Sequence, residues 1–313
     1  MDVEDKALLR KAKTACKRAN RALYYLTFTF PRKKRAAALF LYYYLRRLDD
    51  LVDRKGISQA TRIKILREHR TRLEALFRGE PVKNMTDRDR ALQKFIDYNP
   101  ATARMIRPQI ENLFTTMEFD SKNKSKLIAY KDLINYCYLT GSSPFMITLS
   151  LLDPRMDEKT KENVARNLGI GINLTHLLRD FRFDMKSNDV KVTRGEKLRF
   201  DIFGPNGINS EGLRAFAKQR VDEAAEFLDA GRKHVMRLSN FKLKFSLSLF
   251  RWKYASILTK MKLRNYDLMS DYGKTKPVEY LASVVMLAKD LFAVIGSTVR
   301  DIMRKPANWM HSR

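Results

Sequence analysis

The chain has 313 residues, with 62 lysines and arginines against 35 aspartates and glutamates, so its formal net charge is +27 and its pI about 10.1. Hydrophobic residues at 44% and aromatic residues at 11% exclude a disordered or collagen-like chain. Cys16 and Cys137, with four scattered histidines, cannot build a disulfide framework or a zinc finger, and they fit a reducing compartment.

Glycine and proline are scarce, 12 and 9, and apolar residues recur at intervals of three and four. In chain order this periodicity predicts helices over 5–27, 33–53, 59–77, 87–97, 102–117, 125–152, 158–184, 210–236, 241–268 and 277–303. The breaks fall at Pro31, at Gly79 with Pro81, at Asn99-Pro100, at Asp153-Pro154 and at Gly204-Pro205-Asn206-Gly207. None is a long polar linker, so a single all-α domain over 1–313 is expected. The longest irregular piece, 186–207, reads as a lid or binding loop.

No apolar run reaches the ~20 residues of a spanning helix. The runs 36–45 and 146–152 are too short, and Lys289 and Asp290 interrupt 284–296. The MDVED start lacks a signal pattern, so a cytoplasmic location is expected, with an organellar interior fitting equally. The charge of +27 attracts polyanions: nucleic acid, an anionic membrane surface or phosphate-bearing substrates. Its densest clusters, at 6–21, 32–35 and 62–72, alternate with apolar residues at helical spacing. No nucleic-acid-reading motif accompanies them, so nucleic acid is not an expected partner.

Two helices carry aspartates four apart beside arginine. Asp49, Asp50 and Asp53 form a DDxxD in which Asp49 and Asp53 stack on one face, with Tyr42 and Arg46 on nearly the same stripe. Such carboxylates repel unless a cation sits between them, and hard oxygen ligands suit Mg²⁺. The second stripe is His176, Asp180 and Asp184, adjoined by Arg179 and Arg182. Two facing helices so equipped could hold Mg²⁺ ions that bind a diphosphate and draw it off as a leaving group. Either pair alone reads more simply as surface salt bridges.

The stretch from Lys34 through Tyr42, Arg46 and DDLVD resembles the first aspartate-rich helix of the squalene and phytoene synthase family, the head-to-head prenyl transferases. YYLTFTFP at 24–31, YCYLTGSSPF at 136–145, LLRDFRFD at 177–184 and WKYASILTKMKLRNYD at 252–267 resemble further family blocks in the same order. The resemblance implies an isoprenoid-synthase-type helical bundle around a central cavity. The implied activity is condensation of two allylic polyprenyl diphosphates, C15 or C20, with Mg²⁺ or Mn²⁺ assisting ionisation and NADPH required only for a squalene-type product. By the same resemblance Asp49, Asp53, Asp180 and Asp184 hold metal, with His176 beside them. Arg46 and Arg179 contact diphosphate, Tyr42, Tyr136 and Tyr254 are active-site tyrosines, and Gly141, Ser142 and Ser143 make room for prenyl tails.

The chain departs from the family at His176, where Asn is usual, at Asn173, near a usual Gln, and at Phe183, where an acid is usual. At 188–193 the family's Gly-Arg-x-Tyr-Leu-Pro is replaced by NDVKVT, leaving Lys191 or Arg194 to stand in for the arginine. Two readings follow: an active prenyl transferase working at an anionic membrane surface as a peripheral protein, or a catalytically inactive homologue acting as an assembly or interaction protein.

Overall fold

The structure, a computed structural model, describes residues 3–124, 126–204, 207–208 and 210–303. Among them are twelve α-helices: α1 (Val3–Ala19), α2 (Arg21–Leu26), α3 (Arg32–Val52), α4 (Gln59–Arg78), α5 (Asp87–Tyr98), α6 (Pro100–Asn123), α7 (Tyr130–Leu152), α8 (Glu158–Lys186), α9 (Arg194–Phe200), α10 (Ser210–Met236), α11 (Phe241–Leu263) and α12 (Pro277–Met303). A 3₁₀ turn, Thr27–Thr29, follows α2, and two two-residue strands, β1 (Phe203–Gly204) and β2 (Gly207–Ile208), pair antiparallel. The all-α expectation is met.

Local chemistry explains where the elements differ from the periodicity. The segment expected as one helix over 5–27 breaks at Asn20, whose non-helical backbone (φ −145°) lets its side chain accept from the Leu23 N–H at 3.0 Å and start α2. Helix α11 ends five residues early because Asn265 and Tyr266 are left-handed, with φ of 52° and 58°. The segment 186–207 is not one irregular loop. Thr193 and Glu196 form a capping box that nucleates α9, and Ile128 and Thr193 make a parallel bridge. The expected start of α7 at Ser125 lies outside the described residues.

The chain divides into two compact units. Unit 1 comprises Met1–Lys126 and Tyr138–Lys161, and unit 2 comprises Leu127–Cys137 and Glu162–Arg313. In unit 1, α3 packs against α1 and α5, and α4 against α6. The core runs through Leu39, Phe40 and Tyr44 of α3, Phe95 of α5, Phe114 of α6 and Leu151 of α7. In unit 2, α10, α11 and α12 pack together. Close approach there uses glycine: a Cβ on Gly231 would lie 2.6 Å from Leu168 Cδ2. The same unit is cross-braced by buried charge. Asp290 accepts from Arg232 and Arg251, both at 2.8 Å, and Glu279 from Arg264 at 2.6 and 2.9 Å. Pairs this well bonded cost little to bury, whereas removing one partner would strand a charge.

Candidate active site

Helix α3 opposes its own macrodipole at both ends. Arg32, Lys33, Lys34 and Arg35 crowd its positive N-terminus, while Asp49, Asp50 and the C-capping Asp53 sit at its negative C-terminus. Each such carboxylate costs about 0.3–1 kcal/mol, so helix stability does not account for the DDxxD. Arg46 relieves part of this charge, donating to Asp49 at 3.0 Å and to Asp50 at 2.5 Å. Even so, burial pushes the Asp49 carboxyl up to about 6, with Asp53, Asp50 and Asp120 of α6 adding repulsion that Arg46 does not cancel.

Tyr42, Arg46 and Asp49 line a cavity of about 420 Å³ inside unit 1. Its remaining walls are largely apolar and come from distant parts of the sequence: Cys16, Leu23 and Phe30 around α1 and α2, Leu113 and Met117 of α6, and Ile147 and Leu151 of α7. The volume lies in the range of small-molecule sites. Burial raises the Tyr42 hydroxyl to about 12, so it stays a neutral phenol. Pro144, inside α7, lines the same cavity and breaks one rung of the helical ladder there. Ser142 and Ser143 are buried beside it.

Unit 2 carries the second aspartate pair near the C-terminus of α8, again at the negative end of a helix. Here the pairing is tighter. Arg179 forks onto Asp180 through Nε at 2.8 Å and Nη2 at 2.6 Å. Burial pulls the Asp180 carboxyl upward, but the nearby His176 and the Arg179 fork outweigh it and hold the group at about 2. Burial, ahead of any other cause, lowers the imidazole of His176.

His176 Nε2 shares a 2.8 Å hydrogen bond with the Tyr254 hydroxyl of α11, and Nδ1 lies 3.9 Å from Asp180. The Tyr254 hydroxyl is raised to about 12, again chiefly by burial. Asp184 is half-buried one turn beyond Asp180, and Tyr136 is half-buried in the part of α7 that belongs to unit 2. Phe183 is 63% exposed, which places the departure from an acid at the surface. Lys191 is almost buried and pairs with Asp189 at 2.8 Å, while Arg194 is exposed at the start of α9.

The structure thus sets Tyr42, Arg46, Asp49 and Asp53 along the C-terminal half of α3, and places the hydrogen-bonded pair His176–Tyr254 beside the Arg179–Asp180 fork. Sequence reasoning missed two neighbours, Asp120 and Lys253, and singled out Asn173 only as a departure from the family. Asp120 lies within electrostatic reach of Asp49. Asn173 is buried, and its Nδ2 makes no hydrogen bond among the described residues. Lys253 lies over the Tyr254 ring at 5.1 Å, and burial and then Arg179 lower its ammonium. Lys253 had a signal in its place in the WKY block, whereas Asp120 had none.

Among the described residues no three His, Cys, Asp or Glu side chains form a ready-made metal cage. The donor set still fits a hard divalent cation. Mg²⁺ characteristically takes one or two protein carboxylates and completes its octahedron with water and phosphate oxygens. Burial is the main cause of the raised Asp49 carboxyl, and the repulsion that Asp53, Asp50 and Asp120 add is what such an ion would neutralise.

Solved structures with the same architecture give the class. A squalene synthase from Alicyclobacillus acidocaldarius matches over 85% of this chain and 97% of its own, with a TM-score of 0.71 at 20% identity. A dehydrosqualene synthase matches over 94% and 98%, with a TM-score of 0.75 at 20% identity. The fold is therefore the all-α isoprenoid-synthase fold. Residues 16–279 match the squalene/phytoene synthase family, and the chain belongs to it. Phytoene synthase 1 of Arabidopsis thaliana, a chloroplastic protein, is 28% identical over 283 residues, covering 87% of this chain and 63% of its own length. The 15-cis-phytoene synthase of Synechococcus elongatus is 27% identical, covering 79% and 82% respectively. No helix among the described residues is long and apolar enough to cross a membrane.

Proposed function

We propose that the chain is a prenyl transferase that condenses two allylic polyprenyl diphosphates head-to-head. The observation that carries this reading is the cavity of unit 1: apolar along its walls, with Tyr42, Arg46 and Asp49 on its lining. A prenyl tail fits such walls, and a diphosphate fits a surface where arginine and aspartate alternate. Excluding water matters because an allylic cation survives only where no water can trap it. The aromatic face of Tyr42 supplies π density for that cation.

Asp49, Asp53, Asp180 and Asp184 would hold Mg²⁺ or Mn²⁺, which when bound neutralises diphosphate charge and makes it a better leaving group. Arg46 and Arg179 place guanidinium beside those carboxylates, and Lys253 adds a cation next to Arg179. His176, bonded to Tyr254, acts as a positioning residue for that tyrosine and for Asp180. Products of this chemistry partition into lipid, and a chain of charge +27 is suited to a peripheral place on an anionic membrane.

The second reading, a catalytically inactive scaffold, draws on two observations. Lys191, a stand-in for the family's loop arginine, is engaged by Asp189, and His176 Nε2 is turned to Tyr254. Incubation with C15 and C20 diphosphates, with and without Mg²⁺ and NADPH, separates the readings. An active enzyme releases pyrophosphate and makes a hydrocarbon; a scaffold does neither.

A further inference from the structure

Helix α12 buries one face against α11 and leaves a second apolar face in water. Val278, Leu281, Val285, Phe292, Ile295 and Val299 are all exposed, Phe292 at 75% and Leu281 at 64%. At 100° per residue they fall on one stripe along a helix of 27 residues, about 40 Å long. A contiguous exposed apolar stripe of this length marks an interaction surface.

The charges on the helix select the occupant. Between 277 and 300 the only acids are Glu279 and Asp290, and both are buried in ion pairs, with Arg264 and with Arg232 and Arg251. The exposed charges are Lys289 and Arg300, which lie along one edge of the apolar stripe. Between 277 and 300 the face thus presents apolar side chains bordered by cations and, among the described residues, no exposed carboxylate. A second copy would set these cations, and two chains of charge +27, against each other.

We infer that α12 lies flat in the surface of a bilayer containing anionic lipid, with Phe292 and Leu281 in the acyl boundary and Lys289 and Arg300 at the phosphates. This rests on the peripheral-membrane reading above but not on catalysis. The helix spans nothing: it is an interfacial element, and the basic edge fixes its rotation about its own axis.

Full-length protein is floated with vesicles of phosphatidylcholine alone or with about 30% phosphatidylglycerol, at low and high salt, without substrate. The expected result is retention on the anionic vesicles at low salt only. The triple variant L281S/F292S/I295S should lower retention at least tenfold, and K289E/R300E should remove the preference for anionic lipid. Both variants change exposed side chains, so circular dichroism should match wild type. A probe on F292C should be quenched by brominated acyl chains when vesicles are present. Equal retention of wild type and the triple variant overturns the proposal. So does a stable dimer in solution that the triple variant dissociates, which would make the stripe a self-interface. Pyrophosphate release from short soluble substrate analogues, measured without vesicles, reports on the enzymatic reading separately.

Discussion

Replacing Asp49 with Asn removes a charge that the folded protein holds at a cost. Its carboxyl moves from an ordinary 3.8 to about 6, which at 1.36 kcal/mol per pH unit corresponds to about 3 kcal/mol. The side chain is 36% exposed, and screening by water reduces the figure to about 1 kcal/mol. The direction follows from proton counting. Between pH 3.8 and about 6 the folded state binds more protons at this site than the unfolded state, so wild-type stability falls as pH rises through that window. Below it both states are protonated and the penalty is absent; above it the penalty is complete. Asn can still accept from Arg46, so little else changes. In urea unfolding with EDTA, Asp49→Asn should be more stable than wild type by about 1 kcal/mol at pH 7–8, with the advantage fading between pH 6 and pH 4. Added Mg²⁺ should shrink the gap, because it binds only the wild-type native site. A variant less stable than wild type at pH 8, or an advantage that does not change with pH, would refute the reasoning.

Asp180→Asn should do the opposite to stability. That carboxyl is held at about 2, so its contribution is present above pH 3.8 and lost as pH falls through about 2; with 39% of the side chain exposed, the variant should lose about 1 kcal/mol at pH 7 in the same titration. Both aspartate variants should lower turnover by orders of magnitude, read as pyrophosphate release. His176→Asn should lower the half-saturating Mg²⁺ concentration if the shorter amide is the better neighbour for a hard cation; an unchanged Mg²⁺ dependence would remove His176 from the site. Ala38→Leu, which fills part of the unit 1 cavity, should shift preference from C20 toward C15 substrate, measured as the ratio of kcat/KM values. Gly212→Ala should destabilise by about 2 kcal/mol or more, because a Cβ there would lie 1.8 Å from the Phe200 carbonyl oxygen.

The parts of the fold legible in the sequence are those governed by long apolar periodicity. Helices α3, α4, α5, α8, α10 and α12 lie where the three-and-four spacing puts them. The misses are decided by single side chains. Asn20 ends one helix and caps another, and Asn265 with Tyr266 ends α11 in left-handed backbone that no periodicity encodes. The Thr193–Glu196 box is written in the sequence as T-x-x-E, but the α9 helix it starts is only seven residues long, too short for apolar periodicity to show.

The aspartate pairs were visible as spacing, whereas their opposite electrostatics were not. Asp49 is left short of positive charge because Arg46 is shared with Asp50, while Asp180 has the Arg179 fork to itself. Nor could spacing reveal the cavity, whose walls join Cys16 to Leu151 through packing across unit 1.

The central claim is that the chain carries out a Mg²⁺-dependent ionisation of an allylic diphosphate and that each aspartate pair is needed for it. Purified protein is mixed with C15 or C20 allylic diphosphate in the presence of Mg²⁺, Mn²⁺ or EDTA, and released pyrophosphate is measured together with extracted hydrocarbon. Metal-dependent pyrophosphate release with a head-to-head product, lost in Asp49→Asn and Asp180→Asn, is the expected result. No pyrophosphate from either substrate with either metal, together with no metal-dependent substrate binding, would contradict the claim and leave the scaffold reading in its place.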